Sequence, residues 1–103
     1  VKGVRKIREM QRIAVEETRL KIPLIVGADV IHGYETIFPI PLAMSCSWDT
    51  VAIRRMTRVA ATEASADGIC WNFSTMVDIC RDASWGRIGE GIRTWLSGRC
   101  YEG

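Results

Sequence analysis

Apolar side chains at Val4, Ile7, Met10 and Ile13/Ala14 return every three to four residues, while Arg5/Glu9 and Arg12/Glu16 stand four apart. That period predicts an amphipathic helix over residues 4 to about 19, with ion pairs along its outer face. Lys21-Ile22-Pro23 ends it, because proline has no N–H for the helix ladder and pushes its predecessor out of helical backbone. Leu24-Ile25-Val26-Gly27-Ala28 is apolar without a break, the pattern of a parallel strand buried on both faces. Between Gly33 and Ser47 no helical period survives Pro39 and Pro41, so this stretch reads as a long ordered loop that carries apolar side chains inward. Ser47 or Asp49 can cap the next helix, whose stripe is Ala52, Ile53, Met56, Val59, Ala60 and Ala64, and Gly68 is placed to end it. Ile69-Cys70-Trp71-Asn72-Phe73 follows as a second strand, and after Arg87 the pattern weakens.

Helix, strand, loop, helix, strand, loop is the grammar of an α/β fold with parallel strands and right-handed crossovers. A length of 103 residues with 48% hydrophobic content suits one small domain. Fourteen basic and twelve acidic side chains leave a net charge of +2, with the signs interspersed, which argues against nucleic acid or an anionic membrane as partner. The longest apolar runs fall well short of the roughly 20 residues that span a bilayer. The first residues, Val1-Lys2-Gly3-Val4-Arg5, lack the apolar stretch of a signal peptide and read as the inside of a longer protein. Cys46, Cys70, Cys80 and Cys100 include no CxxC pair, so buried free thiols are expected rather than a metal site.

In parallel α/β folds, chemistry gathers on the loops that leave the carboxyl ends of the strands. Two polar clusters hold such positions. Asp29-Val30-Ile31-His32-Gly33 follows the first strand, where one carboxylate can accept hydrogen bonds from two hydroxyls of a substrate. Asp78 through Arg87, reading DICRDASWGR, follows the second. Without a serine or cysteine partner at readable spacing, His32 is an orienting, hydrogen-bonding residue rather than a catalytic base. Asp78, Arg81 and Asp82 read as loop braces. Trp48 and Trp71 are expected in the core, while Trp85 is a candidate for stacking on a ligand.

The run GADVIHGYETIFPIPL (residues 27–42) closely resembles a signature of glycoside hydrolase family 3 β-glucosidases, and EASADGI (63–69) and RDASWGR (81–87) match the same family in order. The resemblance covers roughly residues 1–91. It implies a partial (β/α)8 TIM barrel, about two strands and two helices of it, with residues 1–103 lying in the family's N-terminal domain and 92–103 left as an unassigned tail. It further implies a parent enzyme that hydrolyses terminal β-linked glucosides with retention, through a carboxylate nucleophile and a second carboxyl acid/base. By match, Asp29 and Arg87 would bind the glycone, with His32, Asp78, Arg81, Asp82 and Trp85 in support.

The family's Lys-His pair and Ser-Asp-Trp-type nucleophile motif are not found in these residues, so no catalytic residue is assigned. The resemblance implies no cofactor or metal, a β-glucoside or oligosaccharide as partner, and a periplasmic or secreted location. The chain departs from the pattern at Ser74-Thr75, where Ala-Pro is usual, at Ala83-Ser84 in place of Pro-Arg, at Cys70 in place of histidine, and after Glu90-Gly91. The expected consequence is a chain that is silent by itself and belongs to a larger enzyme. The alternative is a truncated, non-catalytic carbohydrate-binding or scaffold protein.

Overall fold

Helix α1 spans Val4–Arg12 and continues into a π-helical turn, Ile13–Glu17. It is shorter than its sequence period suggests, because extended backbone at Thr18 ends it before the Lys21-Ile22-Pro23 stop. Its inner stripe buries Ile7 and, about two turns on, Ala14. On the outer face Arg12 pairs with Glu16 as its spacing requires, at 3.2 Å, and also with Glu9 at 2.7 Å and Glu17 at 2.9 Å. No side chain of its own caps the amino end. Instead Asp67, sixty residues away along the chain, accepts the Gly3 and Val4 N–H groups at 3.1 Å each, meeting the unpaired donors that every helix start presents. The computed structural model describes residues 3–74, 76–78, 80–82 and 84–91. The 92–103 tail, with Trp95 and Cys100, lies outside them.

Strands β1 (Gly27–Ala28) and β2 (Trp71–Asn72) pair in parallel, Gly27 opposite Trp71 and Ala28 opposite Asn72. The parallel pairing expected from the element order is therefore present, but each strand is two residues long rather than five. Before β1, the Gln11 side chain of α1 stands in for a neighbouring strand: it donates to the Leu24 carbonyl at 2.6 Å and accepts the Leu24 N–H at 2.8 Å. Leu24 and Ile25 are 47% and 71% exposed, so the apolar run is not buried as its composition suggested. Trp71 and Phe73 stack edge to face at 4.9 Å between ring centres and remain half exposed. The expectation of core positions for Trp71 and Trp48 is corrected accordingly.

The stretch read as loop contains a short helix, α2 (Pro41–Cys46). Pro41 begins it rather than forbidding it, because the first helical residue needs no N–H partner. Helix α3 (Thr50–Ala66) opens as expected on Asp49, whose carboxylate accepts the Ala52 N–H at 2.8 Å, and closes at Gly68 in left-handed backbone with φ +92°. Ala60 and Ala64 of its stripe join Val30 in the core, with Ala28, Tyr34, Phe38 and Ile69 packed around them. Small side chains on α3 let the helix lie close to the end of β1. Of the thiols, Cys80 is buried whereas Cys46 and Cys70 are exposed, against the expectation of burial. No helix among the described residues is long and apolar enough to cross a membrane.

Candidate functional site

The chain leaves β1 at Asp29, exposed on one face, while its neighbour Val30 turns to the core at 5% exposure. That alternation is the ordinary consequence of extended backbone. Beyond it the loop closes on itself: Gly33 bridges Ile37, and the Phe38 N–H donates to the His32 carbonyl at 2.7 Å. Gly33 has φ +128°, and a Cβ there would lie 1.9 Å from the Thr36 carbonyl oxygen, so glycine is required. His32 donates through Nδ1 to the Phe38 carbonyl at 3.0 Å, since a carbonyl oxygen can only accept. Helix α3 fastens the loop from outside. The Glu63 carboxylate accepts the Thr36 hydroxyl at 2.6 Å, the Thr36 N–H at 2.8 Å and the Glu35 N–H at 2.9 Å, and these bonds hold its pKa below the usual carboxylate range. Asp67 accepts the Tyr34 hydroxyl at 2.6 Å, which pushes that phenol up to about 12.

The second cluster follows β2. Asp82 accepts the Ser84 N–H at 2.9 Å and the Ser84 hydroxyl at 2.8 Å, a turn that holds its carboxyl below the usual range. Trp85 is half-buried, and Asp78, Arg81, Asp82, Ser84 and Trp85 line an open concavity of about 570 Å³. Arg87 starts a 3₁₀ turn, Ile88–Glu90, and its guanidinium grips the Glu90 carboxylate at 2.7 Å. Glu90 chiefly, and then the charges of Asp29 and Asp78, strengthen the hold of Arg87 on its proton. Gly91 bridges back to Met76 in parallel register, so the Arg87 turn returns alongside the strand end that precedes it.

The exposed Arg87 thus feels the charges of Asp29, directly after β1, and of Asp78, in the loop after β2. His32 lines a cavity of about 60 Å³ with Phe38, Met44, Ala60, Asn72 and Glu90, the partner of Arg87. Asp29 and Arg87 line neither hollow. Three partners escaped the sequence reading. Glu90 stands three residues after Arg87, a spacing that pairs charges on a helical turn and could have been read. Asn72 and Ser74, which bond the backbone of Val30, carried no legible signal. Among the described residues no three His, Cys, Asp or Glu side chains gather as metal ligands.

The sequence profile of the glycosyl hydrolase family 3 N-terminal domain matches residues 1–99. The chain belongs to this family. It is 46% identical over 86 residues to a periplasmic β-glucosidase of Salmonella typhimurium, covering 84% of this chain and 11% of the relative. A β-xylosidase of Formosa agariphila is 30% identical over 95 residues, covering 82% of this chain and 13% of the relative. The crystal structure of a β-glucosidase from Listeria innocua in complex with isofagomine superposes with a TM-score of 0.80 at 46% identity, covering 88% of this chain and 13% of that one. The family 3 chain described here therefore spans little more than a tenth of the length of these relatives.

Proposed function

We propose that this chain forms the glycone-binding rim of a retaining β-glucosidase, contributing about two strands and two helices to a (β/α)8 barrel whose remaining strands complete the pocket. The observation that carries the reading is that Asp29, directly after β1, adds its charge to the field at Arg87, exposed in the loop that follows the adjacent parallel strand. An ionised carboxylate accepts from two neighbouring sugar hydroxyls, and the guanidinium, oriented by Glu90, donates to the same ring. Such polar contacts set which sugar fits. Apolar half-exposed rings, Trp71 and Phe73, stand two residues apart along β2 and its continuation and suit the interior of a closed barrel. Asp78, Arg81 and Asp82 shape the neighbouring loop, and Trp85 offers a flat apolar face to a pyranose.

Bond cleavage would pass through a covalent glycosyl intermediate formed on a carboxylate outside these residues, with a second carboxyl group serving as acid and then base. Binding without a nucleophile leaves no route through that reaction, so the 103-residue chain by itself should not turn over a β-glucoside. Support for glucose as the glycone comes from the Salmonella relative and from the glucose mimic isofagomine in the Listeria structure. The Formosa β-xylosidase favours xylose as a second reading. A periplasmic location follows the Salmonella relative.

The test is Asp29→Ala in the complete protein that carries this segment, assayed on aryl β-glucoside and β-xyloside. Two charge-assisted hydrogen bonds at about 1.5 to 3 kcal/mol each predict a loss in kcat/KM of roughly 150- to 25,000-fold. Unchanged hydrolysis by a folded Asp29→Ala variant, or turnover by the 103-residue chain, would overturn the proposal.

A further inference from the structure

The backbone on both sides of Asp29 is held by β2 and its continuation, through main chain before it and through side chains after it. The parallel ladder ends where Ala28 faces Asn72, with the Phe73 N–H donating to the Ala28 carbonyl at 3.1 Å. Past that point side chains take over from main chain. The Val30 N–H donates to the Asn72 amide oxygen at 3.3 Å, and the Ser74 hydroxyl donates to the Val30 carbonyl at 2.8 Å. The Asn72 oxygen also accepts the Ser74 N–H at 3.0 Å, which locks the two holding residues together. Val30 is pinned from its other side by the Ala60 and Ala64 methyls. Every main-chain polar group from the Ala28 carbonyl to the Val30 carbonyl, apart from those of Asp29 itself, is therefore engaged, while the Asp29 side chain stands exposed.

We infer that Asn72 and Ser74 are positioning residues for the sugar-binding carboxylate, fixing the backbone of Val30 so that Asp29 points at its ligand before the ligand arrives. The inference rests on the proposed role of Asp29. Ordering one residue costs about 1 to 2 kcal/mol of backbone entropy. A staple that settles this cost during folding spares the binding step from it, which is the meaning of preorganisation. Neither residue needs to touch the sugar.

The experiment uses the complete protein carrying this segment, with isofagomine as the probe. Ser74→Ala, Ser74→Thr and Asn72→Leu are each made in the parent and in an Asp29→Asn background, and inhibition constants are measured well below each variant's melting temperature. Losing one hydrogen bond to the staple predicts about five-fold weaker isofagomine binding for Ser74→Ala and Asn72→Leu, with Ser74→Thr restoring the parent value through its retained hydroxyl. In the Asp29→Asn background the effect should shrink toward nothing, since there is no carboxylate left to aim. Equal losses in both backgrounds would mark a purely structural contact and overturn the inference, as would unchanged affinity on Ser74→Ala while Asp29→Asn weakens binding. Undiminished binding by Asp29→Asn would instead overturn the sugar-binding reading of Asp29, and this inference with it.

Discussion

Replacing Gly33 with alanine should unfasten the loop that carries His32, through two separate strains. The backbone there has φ +128°, a region that side chains with a Cβ rarely adopt, at a cost of about 1 to 3 kcal/mol. The new methyl carbon would also fall 1.9 Å from the Thr36 carbonyl oxygen, which belongs to the main chain and cannot rotate aside. Relief requires Gly33 and Ile37 to separate, and with their bridge goes the 2.7 Å hydrogen bond from Phe38 to His32, worth about 1 kcal/mol. The sum, about 2 to 4 kcal/mol, should stay local because Glu63 continues to hold residues 35 and 36 from α3. Hydrogen exchange of the Phe38 amide reads that local opening, and the predicted acceleration is roughly 30-fold to nearly 1,000-fold. The Ile69 amide, bonded to Ala64 at the end of α3, serves as the control and should keep its rate. Unchanged protection at Phe38 would refute the strain argument, and equal acceleration at Ile69 would show that the whole fold had loosened instead.

Two pH dependences follow from the same loop. The Tyr34 phenol, raised to about 12 chiefly by its bond to Asp67, binds its proton more tightly when folded, so its contribution is complete below the ordinary phenol value near 10 and is lost as pH rises toward 12. Tyrosinate absorbance of the parent minus that of Tyr34→Phe should therefore rise well above pH 10, and a midpoint near 10 would contradict the bond. Glu63 is depressed chiefly by the Thr36 hydroxyl, so its contribution is complete above the ordinary glutamate value near 4.3 and is lost as pH falls through the lower folded value. Its carboxyl carbon should titrate below that of a glutamate in a short peptide, and Thr36→Ala, which leaves the two main-chain bonds in place, should narrow the difference.

Much of the architecture was written in local patterns that need no distant partner. The Asp49 cap and the Gly68 stop act within a turn or two and are found where local pattern placed them, and the α3 stripe holds at Ala60 and Ala64, whereas Val59 of that stripe is exposed. Features that depend on remote residues were not legible. Nothing in Val4 to Arg12 shows that Asp67 will cap α1, nor in Ile13 to Glu17 that the helix will widen into a π turn. Apolar composition overstated the strands, because residues 24–26 and the Trp71 and Phe73 rings can be buried only against neighbours that the described residues do not supply. Proline misled at position 41, where its missing N–H is harmless. At the site, position past a strand singled out Asp29, and only the family match singled out Arg87. Three dimensions supply their mutual reach and the Asn72, Ser74 and Glu90 supports.

A crystal structure of the complete protein with isofagomine bound would measure the central claim directly. The account requires the Asp29 carboxylate and the Arg87 guanidinium both to lie within about 3.2 Å of polar atoms on one sugar-like ring. A ring seated elsewhere in the protein, or one touching neither side chain, would contradict it.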